Sequence, residues 1–295
     1  MTKTAFVAIV GCPNVGKSSL LNRMLGQKVA IVTQKPQTTR TKIMGVLTEG
    51  ETQLVFTDTP GYHRPKTKLG EKMIKAVGDG ITGVDACLFV TEPEGEIKDT
   101  ELELLKRLKS EGAPVVLAIN KTDTVKQKEQ LMERIARFTA VYDFEAVVPV
   151  SALKNENIDI LKDELKKLAY ESVHFFPDDT LTDQPERVLV AEIIREKMLR
   201  LLDKEIPHGT AVAIERMRER DDGSIMDVEA TIYCERESHK GIIIGKGGQM
   251  LKKISTYARQ DIENFFDIKV NLQCWVKVKE DWRNREGIIH NFGLD

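Results

Sequence analysis

The sequence predicts two domains: a doubly wound α/β domain with a mostly parallel sheet, followed by a small α+β domain. The chain has 295 residues, enough for two domains of ordinary size. In its first half, short apolar runs alternate with helical patterns. An acidic, proline-punctuated stretch at residues 174–187 then separates the two halves. We therefore predict a first domain at 1–172, a linker at 173–190 and a second domain at 191–295.

The strands of the first domain are predicted from apolar runs of four to six residues. Nearly continuous apolar runs are typical of parallel strands that are covered on both faces. The predicted strands cover residues 5–10, 53–57, 86–90, 114–119 and 146–150. Helical patterns lie between them at 101–109 and 127–139, and a helix at 157–170 closes the domain.

The second domain is predicted to have the order α-β-β-loop-α-β. A helix at 191–204 precedes two strands, at 211–218 and 225–236, which are joined by a hairpin turn at 221–224. A glycine loop at 245–248, a helix at 249–265 and a strand at 268–279 complete it.

Composition excludes several classes of protein. Apolar residues make up 41% and charged residues 31% of the chain, which excludes disorder by composition. The longest apolar runs are far shorter than the roughly 18 residues that a membrane span needs, and the N-terminus lacks a signal-peptide pattern. The four cysteines are far apart in sequence, so we expect free thiols in a reducing cytosol: Cys12, Cys87, Cys234 and Cys274.

Residues 11–18, GCPNVGKS, match the phosphate-binding pattern GxxxxGK[ST] between the first strand and a helix. The two glycines let successive backbone N–H groups approach phosphates, and the helix N-terminus adds partial positive charge. Lys17 is expected to reach the β- and γ-phosphates, and the Ser18 hydroxyl to bind Mg²⁺. The predicted nucleotide-binding residues here are Gly11, Asn14, Val15, Gly16, Lys17, Ser18 and Ser19.

Residues 120–123, NKTD, predict that the bound base is guanine. The Asp123 carboxylate can accept hydrogen bonds from N1–H and N2–H of guanine, an arrangement of donors that adenine lacks. Asn120 and the stem of Lys121 are expected to brace this loop and cover the base. After the last strand, backbone N–H groups of Ser151, Ala152 and Leu153 are expected to donate to guanine O6.

The Mg²⁺ and switch residues follow from position. Asp58, in the sequence DTPG, directly follows a predicted strand and should lie beside the Mg²⁺ site, and the Gly61 N–H should donate to the γ-phosphate. In the sequence QTTR at 37–40, we favour Thr39 over Thr38 as the remaining Mg²⁺ ligand. The predicted metal ligands are thus Ser18, Thr39 and Asp58, and the predicted catalytic residues are Lys17, Thr39 and Gly61.

The position after Gly61 predicts slow catalysis. In Ras-like GTPases a glutamine there orients the attacking water, whereas this chain has Tyr62. The neighbouring Arg40, His63 and Arg64 are interpreted as solvated residues of the switch segments, with no catalytic role.

The glycine loop of the second domain predicts binding to single-stranded RNA. A GxxG loop that enters a helix is how KH domains clamp four nucleotides. Residues 236–285 carry eleven basic and six acidic residues, so the loop lies in a basic strip. The predicted RNA-binding residues are Lys240, Ile244, Gly245, Lys246, Gly247, Gly248, Lys252 and Lys253.

The net charge of −2 alone would argue against a nucleic-acid partner. Residues 1–172 carry 25 basic and 23 acidic residues, whereas residues 173–295 carry 19 and 23. The acids of the second half lie mostly before Arg236, outside the basic strip. Because the charges are segregated, the whole-chain value does not exclude RNA.

The order of these motifs resembles the Era family of bacterial ribosome-assembly GTPases over essentially the whole chain. The matching elements are GCPNVGKSSLLN, QTTR, DTPG, NKTD, SAL, the acidic linker and IIIGKGG. The resemblance implies a P-loop GTPase domain followed by a type II KH-like domain with a C-terminal helix. It also implies a cytoplasmic, monomeric protein that uses GTP, GDP and Mg²⁺, binds 16S rRNA near its 3′ end, assists 30S subunit maturation and associates peripherally with the inner membrane.

The resemblance also bears on two single residues. The family lacks the Ras-type glutamine, in agreement with Tyr62. Asn14 matches a P-loop asparagine that helps to hold K⁺ in related GTPases, and a bracing hydrogen bond is an equally open role for it.

Our hypothesis is a GTP-switched RNA-binding protein, and two alternatives stay open. One is an RNA-binding module that holds guanine nucleotide as a structural ligand without useful turnover, which Tyr62 keeps open. The other is a GTPase whose main target is a protein or an anionic membrane that meets the basic strip.

Overall fold

The computed structural model describes residues 1–35, 37–203 and 206–294. The chain divides into two compact units. Unit 1 comprises Met1–Ala30, Thr39–Pro65 and Gly70–Asp183, and unit 2 comprises Ile31–Thr38, Lys66–Leu69 and Gln184–Asp295. Two short segments from the first half of the sequence therefore cluster with the second unit.

Unit 1 is built on a sheet with the strand order β2-β3-β1-β4-β5-β6. Neighbouring strands from β3 to β6 are parallel, whereas β2 is antiparallel to β3 and the short β7 is antiparallel to β1. The strands are β1 (Lys3–Gly11), β2 (Ile43–Glu49), β3 (Thr52–Asp58), β4 (Ala86–Thr91), β5 (Val115–Ile119), β6 (Ala146–Pro149) and β7 (Tyr170–Glu171).

The helices of unit 1 cover both faces of this sheet. In β1, Ala5, Val7 and Ile9 lie in one apolar core, and Ala8 and Val10 lie in another. The helices are α1 (Lys17–Leu25), α2 (Lys68–Ile81), α3 (Asp99–Glu111), α4 (Lys128–Val141) and α5 (Ile158–Lys166), with α2 beginning in the unit 2 segment. This is the predicted doubly wound fold, which is confirmed.

Several elements of unit 1 differ from the prediction. Strand β2 and helix α2 were not predicted at all. Strand β2 contains Gly45, where an added Cβ would lie 2.7 Å from Leu25 Cδ1, so close packing against α1 requires glycine there. Glycine inside a strand weakens the sequence pattern by which a strand is predicted. The predicted helix at 157–170 ends at Lys166, and Tyr170 pairs with β1 instead.

Unit 2 has a three-stranded sheet with the order β10-β9-β8. Strands β8 and β9 are antiparallel, β9 and β10 are parallel, and one apolar core lies between the sheet and its helices. The elements are α6 (Glu186–Leu201), β8 (Ala211–Glu219), β9 (Ile225–Cys234), α7 (Glu237–Ile244), α8 (Gln249–Phe266), β10 (Lys269–Val278) and α9 (Glu286–Asn291). The predicted α+β class is confirmed.

Two predictions for unit 2 were wrong. Helix α6 begins at Glu186, not at residue 191, so the last part of the predicted linker is helical. Helix α7 was missed because Gly241 and three consecutive isoleucines disfavour a helix locally, whereas Ile243 is fully buried in the core. The predicted helix end at Lys204 and domain end at Asp295 lie outside the described residues.

Within the described residues, no helix combines the length and apolar character that crossing a membrane requires.

Candidate nucleotide site and candidate RNA interface

The phosphate-binding loop leaves β1 at Gly11 and enters α1 at Lys17. Gly11 has a φ of 150°, and an added Cβ would lie 2.2 Å from the Val90 carbonyl oxygen. Gly16 has a φ of 97°, and its Cβ would lie 2.2 Å from Nδ2 of Asn120. Both positions therefore require glycine, because the backbone has a positive φ and because residues at the ends of β4 and β5 approach too closely for a Cβ.

Lys17 is buried inside this loop. Its Nζ donates hydrogen bonds to the carbonyl oxygens of Gly11 at 3.1 Å and Cys12 at 3.0 Å. Burial lowers the pKa of Lys17, and the nearby Asp58 opposes that shift. The ammonium is thus held at the loop where a phosphate group would be cradled.

The three predicted metal ligands converge at one place. Ser18 Oγ donates to Asp58 Oδ2 at 2.6 Å and lies 2.9 Å from Thr39 Oγ1. Burial raises the pKa of Asp58 to about 6, against the opposing effects of Lys17 and of the two hydroxyls. Among the described residues the other carboxylate oxygen, Oδ1, is buried and accepts no hydrogen bond.

This donor set fits Mg²⁺. Hydroxyl and carboxylate oxygens are its preferred ligands, and a buried carboxylate oxygen without a donor is suited to a cation. Mg²⁺ sites of this kind complete their coordination with water and phosphate oxygens, so few protein ligands are needed. In the part of the chain that the structure describes, no cluster of three or more His, Cys, Asp or Glu side chains could hold a metal.

The two threonines of the QTTR sequence differ in surroundings. Thr39 is 8% exposed and lies beside Ser18. Thr38 Oγ1 instead pairs with Thr33 Oγ1 at 2.7 Å and lies 2.6 Å from the Lys35 carbonyl oxygen. The structure thus places Thr39, not Thr38, at the convergence of oxygen ligands.

The DTPG segment packs against the phosphate-binding loop. A Cβ at Gly61 would lie 2.7 Å from Pro13 Cα, so only glycine permits this approach. The Tyr62 N–H donates to the Gly11 carbonyl at 3.0 Å, and the Tyr62 side chain is half-buried against an apolar core. The tyrosine ring is therefore engaged in packing.

The three residues interpreted as solvated do not share one environment. Arg64 is exposed and lies 3.4 Å from Glu103, as predicted for a solvated residue. Arg40 is only 3% exposed, so that prediction was wrong. His63 is half-buried, with Nδ1 2.8 Å from the Gly61 carbonyl oxygen and Nε2 buried, so it is not a solvated side chain either.

Asn120 joins the two loops of the predicted nucleotide site. Its Nδ2 donates to the Val15 carbonyl at 2.9 Å, and its Oδ1 accepts from the Ala152 N–H at 3.0 Å. Asn120 is 2% exposed, so this bridge is sheltered from water. Its side chain braces the loop, in the way that the sequence motif predicts.

The residues expected to contact the base lie near one another at this loop. Asp123 is exposed, and its carboxylate accepts from Ser151 Oγ at 2.5 Å. Lys121 has a φ of 67°, and its Nζ donates to Glu92 Oε1 at 2.5 Å. The 3₁₀ turn Thr122–Thr124 follows directly and presents Asp123 after β5.

The predicted backbone donors to guanine O6 are largely engaged within the protein. The Ser151 N–H donates to the Glu156 carbonyl at 3.2 Å, and the Ala152 N–H donates to Asn120. Leu153 is 71% exposed. Arg23 of α1, which was not predicted as a site residue, also contacts this loop: its Nε donates to the Ala152 carbonyl at 2.7 Å. No sequence motif marks that arginine.

The glycine loop of unit 2 connects α7 to α8. Gly245 has a φ of 72°, and an added Cβ would lie 2.8 Å from Met250 Cβ. Gly247 and Gly248 also have positive φ, at 55° and 77°. Lys246 is exposed at the turn, and the first turn of α8 has no acidic residue. The loop therefore presents backbone and positive charge to solvent.

The other predicted RNA-binding residues flank this loop. Lys252 and Lys253 are exposed on α8, and Lys253 Nζ lies 5.9 Å from the centroid of the Tyr257 ring. Ile244 is half-buried before the loop. Lys240 is half-buried on α7, with its Nζ 3.9 Å from Glu237.

Two protein-family models match the chain. Residues 6–121 match the family described as 50S ribosome-binding GTPase, and residues 205–283 match the KH domain. The GTPase Era of Clostridioides difficile (strain 630) is 51% identical, over 100% of this chain and 99% of the relative. The GTPase Era of Clostridium tetani is 48% identical, over 99% of each chain.

Two solved structures are similar over both units. One is an Aquifex aeolicus Era variant bound to GDP and AlF₄⁻, with a TM-score of 0.96, 37% identity and 99% coverage of each chain. The other is Era in complex with MgGDPNP and nucleotides 1506–1542 of 16S ribosomal RNA. It also has a TM-score of 0.96 and 37% identity, and it covers 100% of this chain and 99% of that chain.

Proposed function

The chain belongs to the Era family of GTPases, and from that premise we propose that it is a GTP-switched RNA-binding protein of small-subunit assembly. It hydrolyses GTP, and in its GTP-bound state it binds 16S rRNA near the 3′ end during maturation of the 30S subunit. The observation that carries this proposal is the convergence of Ser18, Thr39 and Asp58 beside Lys17, in a chain that also presents an exposed GxxG loop.

Each residue of the phosphate site has a proposed role in binding GTP. The Lys17 ammonium exchanges its two carbonyl partners for phosphate oxygens, and backbone N–H groups of the loop bind the remaining oxygens. The Gly61 N–H donates to the γ-phosphate, because the close approach of Gly61 to Pro13 holds it beside the loop. Mg²⁺ held by Ser18, Thr39 and Asp58 would neutralise charge that develops on the phosphates.

We expect Tyr62, the residue after Gly61, to keep the intrinsic rate of GTP hydrolysis low. A phenol that packs against an apolar core does not orient the attacking water as a glutamine amide would. We therefore expect slow intrinsic turnover.

Steady phosphate release tests the enzymatic part of the proposal. Lys17→Ala removes the cation that binds the β- and γ-phosphates, so release of phosphate from GTP should be abolished. The exposed Lys109→Ala on α3 serves as the matched control and should hydrolyse GTP like the wild type. If the wild type releases no phosphate beyond the Lys17→Ala background, the structural-ligand alternative is correct.

Base selection has its own test. The Asp123 carboxylate is the acceptor for the two guanine N–H donors, so Asp123→Asn should change the preference from GTP to XTP. Competition of each nucleotide against labelled GDP measures this preference. Retention of GTP preference by the variant would contradict the role of Asp123.

RNA binding is proposed for the loop Gly245–Gly248 and its flanking residues. Glycines at positive φ leave the loop backbone uncovered, so that a phosphodiester backbone can approach, and Lys246 adds charge at the same turn. The flanking Lys252 and Lys253 extend this charge along α8. Together these features support single-stranded RNA as the ligand.

Filter binding to a 3′-terminal 16S rRNA fragment tests this interface. Lys246→Glu should weaken binding at least tenfold, because it places a negative charge beside the RNA backbone. Gly245→Asp should weaken it at least as much, because it adds the same charge together with a Cβ that would lie 2.8 Å from Met250 Cβ. Lys109→Glu is the control with the same change of charge on α3. Unchanged RNA affinity in both loop variants would refute the assignment. A parallel measurement with vesicles containing anionic lipid decides whether a membrane is the main target.

The switch is proposed to run through the segment Ile31–Thr38, which leads into Thr39. Within unit 2, described residues of this segment contact α6: Glu196 Oε1 accepts from the Val32 N–H at 3.1 Å, and Arg195 donates to the Gln37 and Thr38 carbonyls. Ligation of Thr39 in the GTP state and its release after hydrolysis would therefore pull on α6. This coupling would alter the affinity for RNA.

We propose a monomer that acts in the cytoplasm, with peripheral association at the inner membrane as a secondary property that the vesicle measurement tests. For Asn14, hydrolysis in K⁺ compared with Na⁺ separates the two open roles. Stimulation by K⁺ that disappears in Asn14→Ala supports an ion ligand, and equal rates in both salts support a bracing role.

A further inference from the structure

We propose that Glu92 is a positioning residue of the guanine-binding loop and that Arg134 fixes Glu92 in place. Neither residue belongs to a nucleotide motif. The inference deepens the proposed function, because it assumes that the loop at Asn120–Asp123 binds guanine, and it assigns the loop's geometry to residues of β4 and α4.

The guanine-binding loop is attached to two residues at the end of β4. The Asn120 N–H donates to the Thr91 carbonyl at 2.8 Å. The Lys121 ammonium donates to Glu92 Oε1 at 2.5 Å. Thr91 and Glu92 are therefore the immediate supports of the first two residues of the NKTD sequence.

Arg134 in turn holds these supports. Its Nε donates to the Glu92 carbonyl at 3.2 Å, one guanidinium nitrogen donates to the Gly95 carbonyl at 2.8 Å, and the other donates to Thr91 Oγ1 at 3.0 Å. The same guanidinium pairs with Glu101 at 3.2 Å. Arg134 thus fixes both ends of the short turn after β4.

The burial of this arginine makes the support rigid. The side chains of Arg134 and Glu101 are each 2% exposed, and the guanidinium lies 4.5 Å from the centroid of the Phe138 ring. Glu101 Oε2 also accepts from the Lys98 N–H at 2.8 Å. A buried guanidinium whose donors are all satisfied is held in place, because displacing it would leave buried donors and the Glu101 carboxylate without partners.

Positioning matters because lysine is flexible. A free lysine side chain loses rotamer entropy when it is laid along a base, and that loss weakens binding. The contact with Glu92 holds the ammonium beforehand, so the stem of Lys121 is ordered before the nucleotide arrives. Since both side chains are a little more than one-third exposed, the expected effect is modest.

The test compares two glutamates of the same turn. Glu92→Gln keeps the shape and removes the charge, and it should raise the Kd for GDP about threefold, mainly through faster dissociation. The effect should diminish in high salt, because the pair is partly exposed. At saturating GTP, kcat should be unchanged. Glu96→Gln, which removes an exposed partner of Arg137, is the matched control and should bind GDP like the wild type.

A double-mutant cycle identifies the route of the effect. If Glu92 acts through Lys121, then Glu92→Gln should have no further effect on the Kd in a Lys121→Met background. The same threefold change in that background would overturn the proposal, as would equal Kd values for Glu92→Gln and Glu96→Gln. If the wild type itself fails to bind GDP, the proposed function fails, and that outcome is distinct from these two.

Arg134→Lys tests the second half of the proposal. Lysine cannot donate to four separate acceptors in one plane, so the turn should loosen and GDP affinity should fall by at least as much as in Glu92→Gln. A folded Arg134→Lys protein with wild-type GDP affinity would contradict the role of Arg134. If the variant does not fold, Thr91→Val, which removes one of the arginine's acceptors, provides the same comparison with a smaller perturbation.

Discussion

At the scale of single residues, the nucleotide site needs glycine where an added Cβ would clash with a neighbouring group. Gly16 combines a φ of 97° with a hypothetical Cβ only 2.2 Å from Asn120 Nδ2. That same Asn120 amide bridges the phosphate-binding loop to Ala152. One glycine therefore protects both the conformation of the loop and the side chain that braces it.

Gly16→Ala should lower the free energy of unfolding and also weaken GDP binding. The positive φ alone is worth about 1–3 kcal/mol, and displacement of Asn120 adds a loss of GDP affinity of at least tenfold. Urea unfolding and GDP titration measure the two effects. Gly112→Ala is the control, since its φ is 77° but nothing lies within 4 Å of its Cβ. It should lose stability and keep its GDP affinity, and a parallel loss of affinity there would contradict the argument.

Thr39→Val should raise the Mg²⁺ concentration needed for hydrolysis and lower kcat at least tenfold, because it removes one oxygen ligand. Thr38→Val should leave both quantities close to wild type, since the Thr38 hydroxyl pairs with Thr33. Phosphate release over a Mg²⁺ titration distinguishes them. A larger effect at Thr38 would show that the ligand assignment is wrong.

At the scale of elements, the nucleotide motifs could be predicted from the sequence because each must occupy a fixed place after a strand. Strand β2 and helix α7 could not be predicted, because each contains a glycine that disfavours the element locally. Gly45 in β2 is required by close packing against α1, and Gly241 lies within α7. The structural role of Arg134 could not be predicted from the sequence either. A single arginine on an amphipathic helix gives no sign that it is buried and paired with Glu101.

The contact between α6 and the segment Ile31–Thr38 gives a prediction for Arg195→Met. This change keeps the apolar stem and removes the donors to the Gln37 and Thr38 carbonyls. We expect amide exchange in peptides covering 31–38 to increase about fivefold, corresponding to roughly 1 kcal/mol. Arg187→Met, near the start of the same helix, is the control, because Arg187 is exposed and its guanidinium lies 3.5 Å from the Ile214 carbonyl oxygen. Equal exchange in both variants would rule out the restraint.

At the scale of the whole molecule, the two proposed ligand sites lie in different compact units. The nucleotide residues lie in unit 1 and the GxxG loop in unit 2, whereas residues 31–38 belong to unit 2 although they precede Thr39 in sequence. The sequence predicted a boundary from the acidic linker. It could not predict that a segment of the first half clusters with the second, because that depends on tertiary contacts alone.

Calorimetry of the full chain should reflect this division. GDP at a thousandfold excess over its Kd stabilises the unit that binds it by about 4 kcal/mol. We therefore expect GDP to raise the unfolding temperature of unit 1 and to move that of unit 2 much less. A single transition that shifts as a whole would contradict this expectation.

In the proposed switch, binding of guanine nucleotide and binding of RNA are thermodynamically linked. The most direct measurement is the Kd of the full chain for a 3′-terminal 16S rRNA fragment, with Mg²⁺ and either a non-hydrolysable GTP analogue or GDP. We expect tighter RNA binding with the GTP analogue, by about fivefold or more, and an equal gain in affinity for the analogue when RNA is bound. The same RNA Kd in both nucleotide states would contradict it.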